Sequence, residues 1–460
     1  MSRSRELFTI GAGMKGANCF LKNYSRHWSG WSRSKDTKNN AKKYFTGILL
    51  PGKRKNMSGI SNRINLDPNA TQQFITDSPW TPEAVMTNNI QVMSKNTAKK
   101  KGVLIIDDTG QEKKGNKSPG VKRQYSGTLG HTGNCQISVA CFYGIPGHSR
   151  NADAVYWPTG MRLYIPQEWV EDEDRCEEVG IPGDMKFQTK PEIGLKLIDC
   201  VRNEKVPHCA ITTDSAYGSD GKFRKGLRDR QEPYVVSVIP SLILVVPEDT
   251  PFIPVGTKCA NGRIRKYPGL PEGMKPKTPE SIVNEISKPD WQEITWSEGT
   301  KGKLSGRFFR MRVRVVVKQK EVTNEMGWLI FERRKGVGLK VYMCWGLDDF
   351  SLEDLVKIAH IRWVIEQGFK QMKGELGLDE FEGRTWRGWH HHAAMVMIAF
   401  SYLMLKRIEG HPNGEKLPTL PQVRKELARL YVRRSIERRF KISPEEADAF
   451  LDDEPVLAPE

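Results

Sequence analysis

The stretch Leu104-Ile105-Ile106-Asp107-Asp108-Thr109 decides how this chain is read. Its apolar run, begun at Val103 and rich in β-branched residues, makes a short buried strand. That strand carries two carboxylates to its end. The segment Ala210-Ile211-Thr212-Thr213-Asp214 has the same form. Far downstream, Arg362, Glu366, Lys370 and Lys373 recur at offsets of four, four and three, so they share one helical face. Ile361, Val364, Ile365 and Met372 fall on the opposite side. Two strand-end acids and one helical acid, brought to one place, suit a pair of Mg²⁺ ions. Such ions take hard oxygen ligands and leave room for phosphate and water. The acids lie far apart in the chain, so the fold must return three elements to one edge.

Composition sets the outer bounds. At 460 residues the chain exceeds one ordinary core. Its 72 Lys and Arg against 55 Asp and Glu give a net charge of +17. That balance favours a polyanionic partner over a membrane; a merely solvated basic surface is the plain alternative. No run approaches the ~18 apolar residues of a membrane span. The start, Met1-Ser2-Arg3-Ser4-Arg5-Glu6, leads into no apolar signal core, so no secretory signal is expected. The eight Cys form no C-x-x-C pair and read as reduced thiols of a cytosol. His390-His391-His392 would point in different directions on a helix, which argues against one shared metal ion.

Five regions follow from the pattern. Residues 1–95 read as a small helical domain with basic clusters at Lys42-Lys43 and Lys53-Arg54-Lys55. Residues 96–240 order as strands, a helix and strands, an α/β core; Thr109 to Gly133 reads as a Gly- and Lys-rich loop, and Leu163–Pro166 reads as a third short strand or the end of one. Residues 241–345 are a β-rich insertion that includes Phe308–Lys318. Residues 346–410 return to helices, with Ser351 as a cap and an apolar core helix from about Trp389 to Arg407. Residues 411–460 hold a basic helix and an acidic end, expected to be disordered or folded back on that helix.

The candidate binding residues each have an ordinary alternative. Arg362, Lys370 and Lys373 would border a metal ligand as phosphate contacts, or form a salt-bridged surface helix. Lys113 and Lys114 would hold DNA phosphates, or sit on a solvated loop. Trp296 would stack on an unpaired base, or pack inside a hairpin. Arg384, amid Trp386, Arg387 and Trp389, would contact a DNA end. The aspartates themselves serve as turn residues or helix caps in many folds.

Several blocks also carry a resemblance: QQFITDSPW at 72–80, IIDDTGQEKKG at 105–115, QYSGTLGHTGNCQISV at 124–139, TTDSAYG at 212–218 and IRWVIEQGFKQMKGELGLDEFEGRTW at 361–386. In combination they resemble the DDE transposases of bacterial insertion sequences, nearest the insertion-sequence-701 group. The resemblance implies an RNase H-like α/β catalytic core interrupted by a β-rich insertion before the final acid. It implies Asp108, Asp214 and Glu366 as the catalytic, metal-binding triad, with Asp107 behind it. The cofactor would be two Mg²⁺ ions, with Mn²⁺ able to substitute. The activity would be cleavage at the element ends and strand transfer into target DNA. The partners would be terminal inverted repeats, target DNA and a second copy of the chain in a synaptic dimer; the location would be the bacterial cytoplasm, on the nucleoid when DNA is bound. Arg362, Glu366 and Lys373 fit the related Tyr-x2-Arg-x3-Glu-x6-Lys pattern, but Ala359 stands at the tyrosine position and Trp363 lies nearby. A structure-specific nuclease of the same fold, or a catalytically silent DNA-binding protein, are the alternatives.

Overall fold

Strand β1 (Gly102–Glu112) runs past the aspartates instead of ending at them. The antiparallel strand β3 (His131–Ile145) pairs with it from Val103 opposite Gly144 to Glu112 opposite Cys135. Ladder hydrogen bonds engage the backbone whatever the side chains are, so a polar stretch continues a strand once a partner lies alongside. The expected loop between Thr109 and Gly133 therefore contains the end of β1, strand β2 (Lys122–Ser126) and the start of β3. Leu163 marks the end of the third core strand, β4 (Val155–Leu163), rather than a separate short strand. This computed structural model describes residues 35–98, 101–147, 153–259, 262–299, 302–409 and 417–453. The start of the first region and the last residues of the acidic end lie outside the described residues.

The chain is a mixed α/β protein built on one sheet. Strand β3 pairs with β1, β2 and β4, all antiparallel. Strand β1 lies parallel to β5 (His208–Thr213), and β5 parallel to β6 (Tyr234–Val238). Beyond β6 the sheet continues through β11 (Val337–Trp345), β10 (Glu321–Arg334), β9 (Gly302–Val317) and β7 (Leu244–Pro247), with β8 (Gln292–Gly299) also on β9. The strands of 241–345 thus extend the core sheet through the β6–β11 pairing. Across that junction a buried ion cluster joins Glu325 on β10 to Arg224 and Arg228 of the helix that follows β5.

Helices cover both faces of the sheet. The amino-terminal set is α1 (Lys35–Leu49), α2 (Met57–Ile64) and α3 (Pro82–Thr97). Helices α4 (Lys190–Asn203) and α5 (Gly221–Asp229) follow β4 and β5. Ser351 caps α6 (Leu352–His360) by accepting from the Asp354 amide, and α7 (Trp363–Leu376) and α8 (Trp386–Glu409) come next. The acidic end folds back: α9 (Leu420–Phe440) is followed by α10 (Pro444–Asp453) packed on it.

Helix α8 is apolar nearly all round because β4, α1, α3, α7 and α9 pack about it. Among the described residues no helix is long and apolar enough to cross a membrane. Its three histidines face three partners. His390 bonds the Trp386 carbonyl, His391 lies between the carbonyls of Ile75 and Trp80, and His392 lies between the Tyr44 hydroxyl and the Gly377 carbonyl. These contacts, with Tyr44, Phe45 and Ile48, tie residues 35–98 into the same apolar core as the sheet.

The end of α7 is held by Lys55. Its buried ammonium donates to the carbonyls of Ile48 and Glu375, and its backbone amide donates to the Glu380 carboxylate. Gly377 closes the helix at φ 75°, a left-handed conformation where a Cβ would also strike Lys55. Burial, with the nearby charge of Arg424, pushes the Lys55 ammonium down from 10.5 to about 7. Between those values the unfolded chain holds the proton and the folded chain does not, so unfolding takes up a proton. Thermal stability should therefore climb as pH rises from about 7 towards 10.5, and Lys55→Met should remove that part of the slope. An unchanged slope in the variant would show that Lys55 is not its source.

Candidate active site

Register brings the acids together. In the parallel pairing of β1 with β5, Ile106 lies opposite Thr213, so the next residues, Asp107 and Asp214, sit side by side. Side chains along β1 alternate between the two faces of the sheet. Ile105 lies with Val364 and Ile361 on the α7 face, around the position where Gly144 leaves room. Asp107, two residues on, shares that face. Ile106 lies against Gly194 of α4, and Asp108 shares that opposite face.

The contacts agree with this alternation. Arg362, at the start of α7, donates to Asp107 at 2.8 Å and to Glu366 at 2.6 Å. Asp108 instead accepts from Lys190 of α4 at 3.0 Å. Asp214 caps the short helix Ser215–Gly218, accepting from the amides of Ala216 and Tyr217. Gly218 is tucked so close to β6 that a Cβ would lie 1.9 Å from the Ser237 carbonyl oxygen. That approach fixes the turn that aims Asp214.

A cleft of about 770 Å³ opens over these groups, lined by Asp107, Asp108, Asp214, Glu366, Lys370 and Lys373 among others. A second cavity of about 390 Å³ adjoins it, lined by Asp214, Glu366, Trp296, Arg334 and Lys340. Burial, and then the charge of Asp214, push the Asp107 carboxyl up to about 7. Burial raises Asp214 as well. Two desolvated carboxylates side by side are unfavourable unless a cation joins them. Here Arg362 supplies one.

The other candidate residues fall in different places. Lys370 is exposed at the cleft, while the Lys373 ammonium is drawn down to the Gly110 carbonyl at 2.6 Å. Lys113 is anchored on the Phe381 carbonyl at 2.7 Å, and Lys114 beside it is exposed. Arg384 is exposed on the segment before α8. Trp296 lies flat on His360, with ring centres 3.9 Å apart, and lines the second cavity. Ala359 and Trp363 line that cavity too. Lys190, Arg334 and Lys340 were not singled out from the sequence. Lys190 and Lys340 stand singly in their segments and Arg334 lies in a short basic run, and only strand pairing and helix packing bring the three near the acids.

A family model described as a DDE superfamily endonuclease matches residues 29–303. The chain belongs to the DDE endonuclease superfamily. The matched span holds Asp107, Asp108 and Asp214 and stops short of Glu366, which lines the same cleft. The chain is also 31% identical, over 194 residues, to a probable transposase for insertion sequence element IS701 from Microchaete diplosiphon. That alignment covers 42% of this chain and 46% of the relative, so it spans about half the length of the curated protein.

Proposed function

We propose that this DDE protein is the transposase of an insertion sequence, cutting DNA at the element ends and joining the freed 3′ end to target DNA. The observation that carries the reading is the parallel register that puts Asp107 beside Asp214, facing the helix of Glu366. In this reading strands β1, β3, β4, β5 and β6 form an RNase H-like core, into which residues 241–345 are inserted.

The acids of the site are Asp107, Asp214 and Glu366. This reading takes Asp107 in place of the expected Asp108, which lines the same cleft but pairs with Lys190 of α4. Among the described residues no three acidic, His or Cys side chains are grouped to ligate one ion as they stand. Arg362 lies between Asp107 and Glu366, and those two acids share an ion only when it withdraws. The donor set still fits a hard divalent ion: the oxygens are carboxylate, crowded and desolvated. Divalent ions, Mg²⁺ with Mn²⁺ as substitute, would supply Lewis-acid stabilisation of the phosphodiester when bound there. The protein's own cations do the rest. Arg362, released from the acids, can turn to a phosphate, which its planar fork suits. Lys370 borders the cleft as an exposed cation, while Lys373, held on the Gly110 carbonyl, contributes positive charge from the floor. The proposed partners are the terminal inverted repeats, read in part by residues 1–95, then target DNA and a second copy of the chain.

The test is an in vitro reaction with Mg²⁺, using a labelled duplex that carries the terminal repeat of the encoding element. Cutting at the repeat edge, followed by joining to a target plasmid, supports transposition. Cutting without joining reassigns the protein as a nuclease of the same fold. Binding without cutting points to a silent DNA-binding protein.

A further inference from the structure

The acidic helix α10 lies on the basic helix α9 as a charged cover. Lys425, Arg429 and Arg433 recur every four residues and so line one face of α9. Asp448 of α10 reaches Arg433 at 2.9 Å and Arg429 at 3.4 Å, and Asp452 reaches Arg429 at 2.7 Å. Arg433 keeps only 7% of its side chain exposed and is also paired with Glu437 at 3.1 Å. Such burial is unusual for an arginine on a surface helix. The cover is a built contact. Lys441 turns the chain back at φ 56°, Ser443 and Glu446 cap each other at the start of α10, and Ala447 and Leu451 are buried beneath it. Arg424 fixes α9 to Glu375 of α7, so this face belongs to the same body as the carboxylate site.

We propose that this face of α9 is a contact surface for the phosphate backbone of duplex DNA, and that α10 occupies it as an intramolecular stand-in for phosphate. The proposal rests on the DNA-acting reading above. Carboxylates bound to an Arg pair at helical spacing present the same acceptor oxygens as two phosphates. The Arg429 pairs with Asp448 and Asp452 lie at the surface and contribute little to stability, so a polyanion of high charge density can compete with α10 for this face. DNA would then gain Arg429 and Arg433 beside the already exposed Lys425.

Two variants of equal charge change separate this idea from a general effect of net charge. Asp448→Asn removes the acid that touches both arginines. Glu445→Gln removes an exposed acid on the same helix that pairs with neither. Affinity of the full chain for a plain duplex would be measured across a salt series. In Asp448→Asn, binding should tighten several-fold at low salt, and the slope of log affinity against log salt should steepen by about 1 to 2, near 0.9 per phosphate gained. Glu445→Gln should follow the parent chain. Equal behaviour of the two variants, or no change in either while the parent binds duplex, overturns the cover. Absence of duplex binding by every form at any salt overturns it too, and takes the DNA-acting reading with it.

Discussion

Asp107→Asn should abolish metal-dependent strand cleavage, while Asp108→Asn should leave a measurable share of it. The two residues are neighbours of identical type, and the alternation of β1 separates them. Asp107 faces α7, beside Asp214 and within 2.8 Å of Arg362. Asp108 lines the same cleft but pairs with Lys190 of α4. Loss of a group that merely supports a metal ligand typically costs ten- to a hundredfold, so Asp108→Asn should fall within about that range. Loss of a ligand itself should exceed it, taking Asp107→Asn beyond about a hundredfold. Asn preserves the shape of each side chain, so both variants should bind duplex as the parent does. Cleavage by the parent and both variants, over a range of Mn²⁺ concentrations, gives the comparison. If Asp108→Asn is dead and Asp107→Asn active, Asp107 is not the ligand and β1 presents its other face to the metal.

Glu325→Ala should be among the most destabilising single changes in the chain, at about 3–5 kcal/mol. Glu325 is 3% exposed and accepts from Arg224 at 2.6 Å, from Arg228 at 2.9 Å and from the Tyr234 hydroxyl at 2.6 Å. Removing it leaves two arginines without their counter-charge, one of them 4% exposed. The cost arises from those stranded charges more than from any large net gain of the intact cluster. Replacing both buried partners, as in Arg224→Met with Glu325→Leu, should therefore recover part of the loss. Denaturant unfolding would measure both. A single-variant loss under about 1 kcal/mol would mean that water reaches the cluster. Arg224 also donates to the Gly218 carbonyl at 2.7 Å, in the turn that aims Asp214. Cleavage by Glu325→Ala should accordingly fall even where the chain remains folded.

Much of the site was legible in the residues. The apolar runs before Asp107 and Asp214 do form neighbouring parallel strands, and Glu366, Lys370 and Lys373 do share one stretch of α7, with Arg362 at its N-cap. These signals are local: a β-branched run buries as a strand, and a fourfold offset puts side chains on one helix face. The length of β1 was not legible, because its polar half is a strand only through pairing with β3. Lys370 and Lys373 read alike in the sequence, yet one remains exposed and the other is spent on a backbone carbonyl. That difference depends on Gly110, which no pattern near residue 373 reveals.

The sequence by itself determined the α/β class, the basic surface, the short list of acids and the presence of a helix bearing Glu366. Each follows from composition or from the periodicity of a single segment. Only the tertiary structure decided which of two adjacent aspartates stands beside Asp214, that strands from 241–345 widen the core sheet, and that α10 covers α9. The physical reason is common to all three. Strand register, sheet-edge pairing and helix docking are set by contacts between residues far apart in the chain, and a one-residue step in register moves a carboxylate to the other face of the sheet.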